Sequence, residues 1–218
     1  MTLDRAAFLR RWSVLHDGIE PDGVLFVRGW LSLVYVAARP FAAARVPPSA
    51  VTLAGLVAAG TVPLVTWTGD EWALAAAVLV LTSALFDSLD GAVAVMTDRV
   101  TSWGAVLDAV CDRLADAAYG GALWVLGAPV WLVLAWVGLS SLTEYTRARG
   151  QALMGEPLDV VTVGERPTRV IVTFVTLLVA GVISSRGSDV AVVGGAVGTL
   201  TAAGGLTQLM FVVRRRLT

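Results

Sequence analysis

Residues 86–116 read FDSLDGAVAVMTDRVTSWGAVLDAVCDRLAD. Four of the six carboxylates in this stretch form two pairs on helical spacings. Asp87 and Asp90 are i,i+3 at the end of one apolar run, and Asp108 and Asp112 are i,i+4 near the start of the next, so each pair shares a helix face. A short connection between two antiparallel neighbours would bring all four to one end of a helix bundle. An Asp at the centre of a spanning helix costs about 2.5–3.5 kcal/mol, and four in one pocket repel one another. Such a cluster persists where cations neutralise it. An all-oxygen ligand set without His or Cys points to a hard ion, Mg²⁺ or Mn²⁺, and four carboxylates suit two of them. Gly91 and Gly104 leave room for close approach, and Ala92 and Ala94 keep the pocket open. Asp116 continues the i,i+4 ladder from Asp112 and reads more readily as a supporting group.

The rest of the chain supplies the bundle. Of 218 residues, 56% are hydrophobic and 15% charged, against about 25% charged in soluble domains. That composition excludes a disordered chain, a disulfide scaffold and an ordinary soluble domain. Every basic residue is Arg, the net charge is −1, and nothing suggests nucleic-acid binding. The single Cys111 and single His16 exclude an internal disulfide, a Cys-based zinc site and a histidine cluster; both read as structural residues. The first 20 residues stay charged throughout, so no signal peptide is read there.

Charge-free runs at 46–69, 117–143, 170–185 and 190–213, with two interrupted apolar stretches, give an all-α polytopic membrane protein. Six transmembrane helices are expected at about 49–68, 71–97, 102–127, 129–150, 167–185 and 189–213, the turn at Gly127-Ala128-Pro129 splitting the longest run. With the N-terminus cytoplasmic, the inner loops hold Arg39, Arg45, Arg99, Arg147, Arg149, Arg166, Arg169 and Arg214 to Arg216, and the outer loops only Arg186. This asymmetry predicts a multi-pass protein of the cell (inner) membrane with its acidic site facing the cytoplasm. Trp67 and Trp72, and Trp124 and Trp131, flank outer loops as an interfacial aromatic belt would.

Ahead of the first span, Arg28, Ser32, Tyr35 and Arg39 make one stripe at 100° per residue, with Phe26, Trp30, Leu33, Ala37 and Phe41 opposite. This predicts an N-terminal amphipathic helix lying in the cytoplasmic interface, ended or kinked by Pro40. Pro47-Pro48-Ser49 then opens the first span, with Ser49 as N-cap. The organisation expected is an interfacial segment 1–45, a six-helix domain 46–213 and a basic tail 214–218.

Asp87-x2-Asp90-Gly91-x2-Ala94, followed by Gly104-x3-Asp108-x3-Asp112, resembles the CDP-alcohol phosphotransferase motif D-x2-D-G-x2-A-R-x8-G-x3-D-x3-D. Seven of its eight fixed positions match in register, and the six-span layout also looks like that family over nearly the whole chain. The resemblance implies transfer of a substituted phosphate from a CDP-linked donor to an alcohol, with release of CMP. It implies that Asp87, Asp90 and Asp108 bind metal, with Asp112 both a ligand and the general base. Gly91, Ala94 and Gly104 would line the nucleotide site, joined by Thr52 from a P-x-x-x-T segment. A homodimer is implied by the resemblance alone. One position departs: the motif Arg is Val95 here. Arg99, four residues on, could cover its role; a weakly active or inactive relative is the alternative. A cation transporter would also use an Asp cluster but leaves the basic residues below unexplained.

Those residues flank the next inner loop. The fourth span ends EYTRARG at 144–150 and the fifth opens GERPTR at 164–169. Arg147, Arg149, Arg166 and Arg169 thus meet from two helix termini, and Pro167 suits a first helical turn. With the helix N-terminus they make an anion site. Y-x-R-A-R-G with E-R-P-x-R, and GAVLDAVCDRLADAAYGGALW at 104–124, resemble the phosphatidylinositol phosphate synthases of actinobacteria. That likeness implies CDP-diacylglycerol as donor and a phosphorylated polyol as acceptor. Inositol phosphate comes first, its phosphate on Arg147 and Arg169 with Arg149 and Arg166 nearby; glycerol 3-phosphate, giving phosphatidylglycerol phosphate, is the alternative.

Overall fold

The computed structural model describes the backbone of residues 4–15 and 25–218 and the side chains of 4–11 and 29–218. His16, and the side chains of Phe26 and Arg28, lie outside the described residues. Among the described residues every regular element is helical: α1 (Arg5–Leu15), α2 (Leu25–Ala43), α3 (Pro48–Trp67), α4 (Ala73–Thr97), α5 (Ser102–Val125), α6 (Val130–Met154), α7 (Arg166–Val182) and α8 (Gly187–Leu217). Short 3-10 turns at Asp70–Trp72 and Ser184–Arg186 lead into α4 and α8.

The six helices α3 to α8 occupy the six ranges expected from hydropathy. Three stretches, Pro48–Trp67, Asp70–Thr97 and Ser184–Leu217, are long and apolar enough to cross a membrane. The others fall short for visible reasons. α5 carries Asp108, Asp112, Arg113 and Asp116, α6 ends among Glu144, Arg147 and Arg149, and α7 has 17 residues. Trp67, Leu64, Trp131 and Leu200 are among many large apolar side chains left exposed, as suits a membrane protein whose outer surface meets lipid.

Several boundaries moved. α3 begins at Pro48, which places Ser49 inside the helix instead of at its cap; proline, with its preset φ and missing N–H, takes the first turn. Pro40 lies within α2, which runs on to Ala43 before the chain turns at Arg45, φ 56°. α6 passes through Gly150 and ends at Gly155, whose φ of 71° gives a left-handed cap with its N–H on the Gln151 carbonyl. Gly150 is retained because it is packed: a Cβ there would meet the Leu158 side chain at 2.9 Å.

The chain forms two compact units, one from residues 1–57 with 82–112, the other from 58–81 with 113–218. In the first, Phe8 of α1, Val34, Ala38 and Ala42 of α2, Val51 of α3 and Leu89, Val93 and Met96 of α4 share one buried core. The buried face of α2 is therefore Leu31, Val34, Ala38 and Ala42, while Leu33 and Val36 are exposed. Tyr35, expected on the polar stripe, packs against Phe8 in a tilted pair with 5.4 Å between ring centroids. The reason is α1: a second helix supplies an apolar partner that the α2 pattern by itself does not reveal. α3 and α4 approach closely at Gly55, where a Cβ would lie 3.0 Å from that of Phe86, and Ser83 Oγ donates to the Gly55 carbonyl at 2.9 Å. This contact sets the height of Asp87, the next residue along α4.

In the second unit α8 packs through a seam of small residues, Ala191, Gly194, Gly195, Gly198, Ala202 and Gly205. Such a seam lets helices approach where no hydrophobic drive separates protein from lipid. The Trp136 ring of α6 sits over Gly198, and Gly205 receives the backbone of Gly164.

Candidate metal and substrate site

Carboxylate oxygens of Asp87 on α4 and of Asp108 and Asp112 on α5 lie within 4.8 Å of one another. All three side chains are half-buried. α5 is started by Thr101, whose Oγ1 accepts the Gly104 N–H at 3.0 Å, an N-cap bond that holds the first turn ahead of Asp108. Asp90, the fourth expected carboxylate, lies outside that set of three and is buried, 7% exposed. Its Oδ1 accepts the Gly91 N–H at 2.5 Å, and its Oδ2 is buried with no hydrogen-bond partner. A carboxylate oxygen left so is costly. An oxygen-rich set of this kind, with one orphaned oxygen, fits a divalent hard cation.

The same unit bears an open cavity of about 520 Å³. Thr52, Asp87, Asp90, Gly91, Ala94, Gly104 and Asp108 all line it, so seven of the eight metal- and nucleotide-site residues expected from sequence meet in one space; Asp112 joins them through the carboxylate cluster. An added Cβ on Gly91 would meet nothing within 4 Å, so the glycine leaves open room toward the cavity and is not needed for packing. The remaining wall was not foreseen as part of the site. It comes from Phe8, Trp30, Leu31 and Val34 of α1 and α2, with Trp30 Nε1 donating to Ser88 Oγ at 3.1 Å. The apolar face of α2 was the available signal; nothing in the sequence announced that it faces a cavity.

In the other unit the expected arginine group is present but largely engaged by protein acids. Arg169 is 2% exposed; its Nη1 donates to Asp116 Oδ2 and its Nη2 to Glu144 Oε1, each at 2.8 Å. Arg113 pairs with the same two acids at 3.2 and 3.3 Å. Arg147 donates to the Leu158 and Val160 carbonyls at 3.2 and 2.9 Å and to Glu165 Oε1 at 2.5 Å. Glu165 Oε1 also accepts the N–H and hydroxyl of Thr162, so Arg147 pins the connection between α6 and α7. Arg149 is exposed and Arg166 half-buried at the start of α7, where Pro167 falls in the first turn as expected. Asp116, Glu144 and Glu165 as partners of these arginines were missed, although all three stand in the stretches quoted above.

A helical membrane protein with a carboxylate cluster on a cavity is the class these features define. The CDP-alcohol phosphatidyltransferase family matches residues 45–209, and the chain belongs to that family. It is 39% identical over 157 residues to the phosphatidylinositol phosphate synthase of Corynebacterium glutamicum, covering 67% of this chain and 69% of that protein. The crystal structure of the Mycobacterium tuberculosis phosphatidylinositol phosphate synthase with CDP-DAG bound superposes with a TM-score of 0.66 at 29% identity, over 84% of this chain and 94% of that one. The structure of the same enzyme in complex with manganese and citrate gives 0.68 at 28% identity, over 83% and 88%.

Proposed function

We propose that this chain is an enzyme that transfers the phosphatidyl group of CDP-diacylglycerol to a hydroxyl of inositol phosphate, giving phosphatidylinositol phosphate and CMP. The observation that carries the reading is the cluster of Asp87, Asp108 and Asp112 at a cavity also lined by Asp90, Thr52 and Gly91. These are six of the eight residues expected from the sequence to serve metal and nucleotide, and a phosphatidylinositol phosphate synthase similar to the chain has been solved with CDP-DAG bound and in complex with manganese and citrate.

Asp87, Asp90, Asp108 and Asp112 hold divalent metal, two ions of Mg²⁺ or Mn²⁺. Bound metal supplies charge neutralisation for the diphosphate and a lower pKa for the attacking hydroxyl. Thr52, Gly91, Ala94 and Gly104 receive the cytidylyl part of the donor. Asp112 takes the proton from the acceptor hydroxyl; the resulting oxygen forms a bond to the β-phosphorus, and the bond from that phosphorus to the CMP oxygen breaks. The work of the protein is chiefly placement and electrostatics, as in phosphoryl transfer generally. The acceptor phosphate is bound by Arg147, Arg149, Arg166 and Arg169: the exposed Arg149 meets it directly, while Arg147 and Arg169 exchange their present carboxylate partners for it. All six long helices cross the cell membrane, the site opens to the cytoplasm and the inner leaflet, and the protein works as a homodimer.

The test is CMP release from CDP-diacylglycerol by protein in detergent or liposomes with Mg²⁺ or Mn²⁺. Inositol phosphate, glycerol 3-phosphate and no acceptor are compared. Inositol phosphate should give the fastest release and Asp112→Asn should lose at least about a hundredfold, within the range of general acid–base contributions. Equal rates for the two acceptors refute the acceptor assignment. Absence of CMP with every acceptor, or full activity of Asp112→Asn, refutes the mechanism.

A further inference from the structure

We propose that Arg99 is the side chain that binds the diphosphate of the nucleotide donor; this rests on the donor reading above. Three acids, Asp87, Asp90 and Asp108, line the 520 Å³ cavity, and among its described lining residues Arg99 alone is cationic. A donor diphosphate brought to these carboxylates needs positive charge in addition to metal. A guanidinium offers five N–H donors in a fork that matches phosphate oxygens.

Arg99 is placed there by a turn and not by helical spacing. α4 ends at Thr97, Asp98 takes a left-handed φ of 58°, and the Arg99 N–H closes back on the Ala94 carbonyl at 2.9 Å. This closure reverses the chain at the end of α4, so Arg99 leaves the helical track four residues after Val95 and reaches the cavity lining from the turn. Val95 lines the same cavity and is buried, but it is apolar and cannot meet a phosphate. The turn is tethered on its outer side, where the Arg11 guanidinium of α1 pairs with the Asp98 carboxylate, and α1 is itself seated by the fully buried Phe8. The Arg99 side chain is exposed, and its Nη1 makes only a long bond, 3.4 Å, to the Arg45 carbonyl. A phosphate oxygen would displace that contact at small cost.

The test is equilibrium binding of CDP and of cytidine to the purified full chain in detergent with Mn²⁺, for wild type, Arg99→Ala, Arg99→Gln and Arg99→Lys. Arg99→Ala and Arg99→Gln should weaken CDP by about 10- to 100-fold, the range for hydrogen bonds to charged groups, and leave cytidine within about twofold. Arg99→Lys, which keeps the charge but not the fork, should lose less CDP affinity than Arg99→Gln, and all four proteins should melt together. Unchanged CDP affinity in Arg99→Ala overturns the assignment while leaving the donor reading intact. Equal losses for CDP and cytidine, or for Lys and Gln, also overturn it, because the charge would not be what matters. If wild type binds neither CDP nor CDP-diacylglycerol, the donor reading falls first and Arg99 falls with it.

Discussion

Replacing Arg169 by Met tests the ionic group in the interior of the second unit. Arg169 and Asp116 have side chains only 2% and 4% exposed and are 2.8 Å apart, and Arg169 also reaches Glu144 at 2.8 Å. Removing one partner of a buried pair costs about 3–5 kcal/mol, because the other charge stays buried and uncompensated. Here Arg113 remains 3.2 Å from Asp116 and 3.3 Å from Glu144, which puts the loss at the lower end, about 3 kcal/mol. At about 2–4 °C per kcal/mol for a chain of this size, Tm should fall by about 6–12 °C. Arg113 is 24% exposed and its removal leaves Arg169 on both acids, so Arg113→Met should cost only about 1 kcal/mol. Arg169→Met combined with Asp116→Leu should recover much of the loss, since an apolar pair of matching volume replaces a buried ion pair with little penalty. Thermal unfolding in detergent, followed by the fluorescence of the eight Trp, reads all of these. An Arg169→Met protein melting within about 2 °C of wild type, or an Arg113→Met protein melting lower than Arg169→Met, would refute the reasoning.

Three further outcomes are expected. Gly198→Ala should destabilise by about 1–3 kcal/mol, because its Cβ would stand 2.6 Å from Cε2 of Trp136; an unchanged melting curve would mean that α6 and α8 are not packed at this distance. Gly91→Ala should melt at or slightly above wild type, since alanine is the better helix former by up to about 1 kcal/mol and meets nothing within 4 Å, yet it should raise KM for the donor; a KM that stays put would remove Gly91 from the donor site. Mn²⁺ at about a hundred times its Kd should add about 2.7 kcal/mol of stability, reversed by chelation, and Asp108→Asn should lose that increment; a metal-dependent shift that survives in Asp108→Asn would place the ion elsewhere.

Much of the first unit's site was legible because its information is local. Asp87 and Asp90 lie on one helix and Asp108 and Asp112 on the next, so spacings of three and four residues already give common faces, and one short turn joins the helices. The same locality made the six long helices readable from charge-free runs. The errors at Ser49 and Gly150 are end effects, where a cap or a distant packing partner decides within a few residues, and α2 likewise runs three residues past Pro40. Arg169 was legible as a cation near a helix start, but its partner Asp116 is 53 residues away and Glu144 25, separations that no periodicity encodes.

From the sequence by itself come the membrane class, the helix count from α3 to α8, the acidic cluster and the family, because hydropathy and short-range spacing act along the chain. Tertiary structure decided what lies across space. α1 and α2 close one wall of the cavity through Phe8 and Trp30. A left-handed Asp98 carries Arg99 to the cavity lining, and Arg147 and Arg169 are taken up by carbonyls and carboxylates. The physical reason is the same each time: burial, and the pairing of a buried charge, depend on residues that meet only when helices pack.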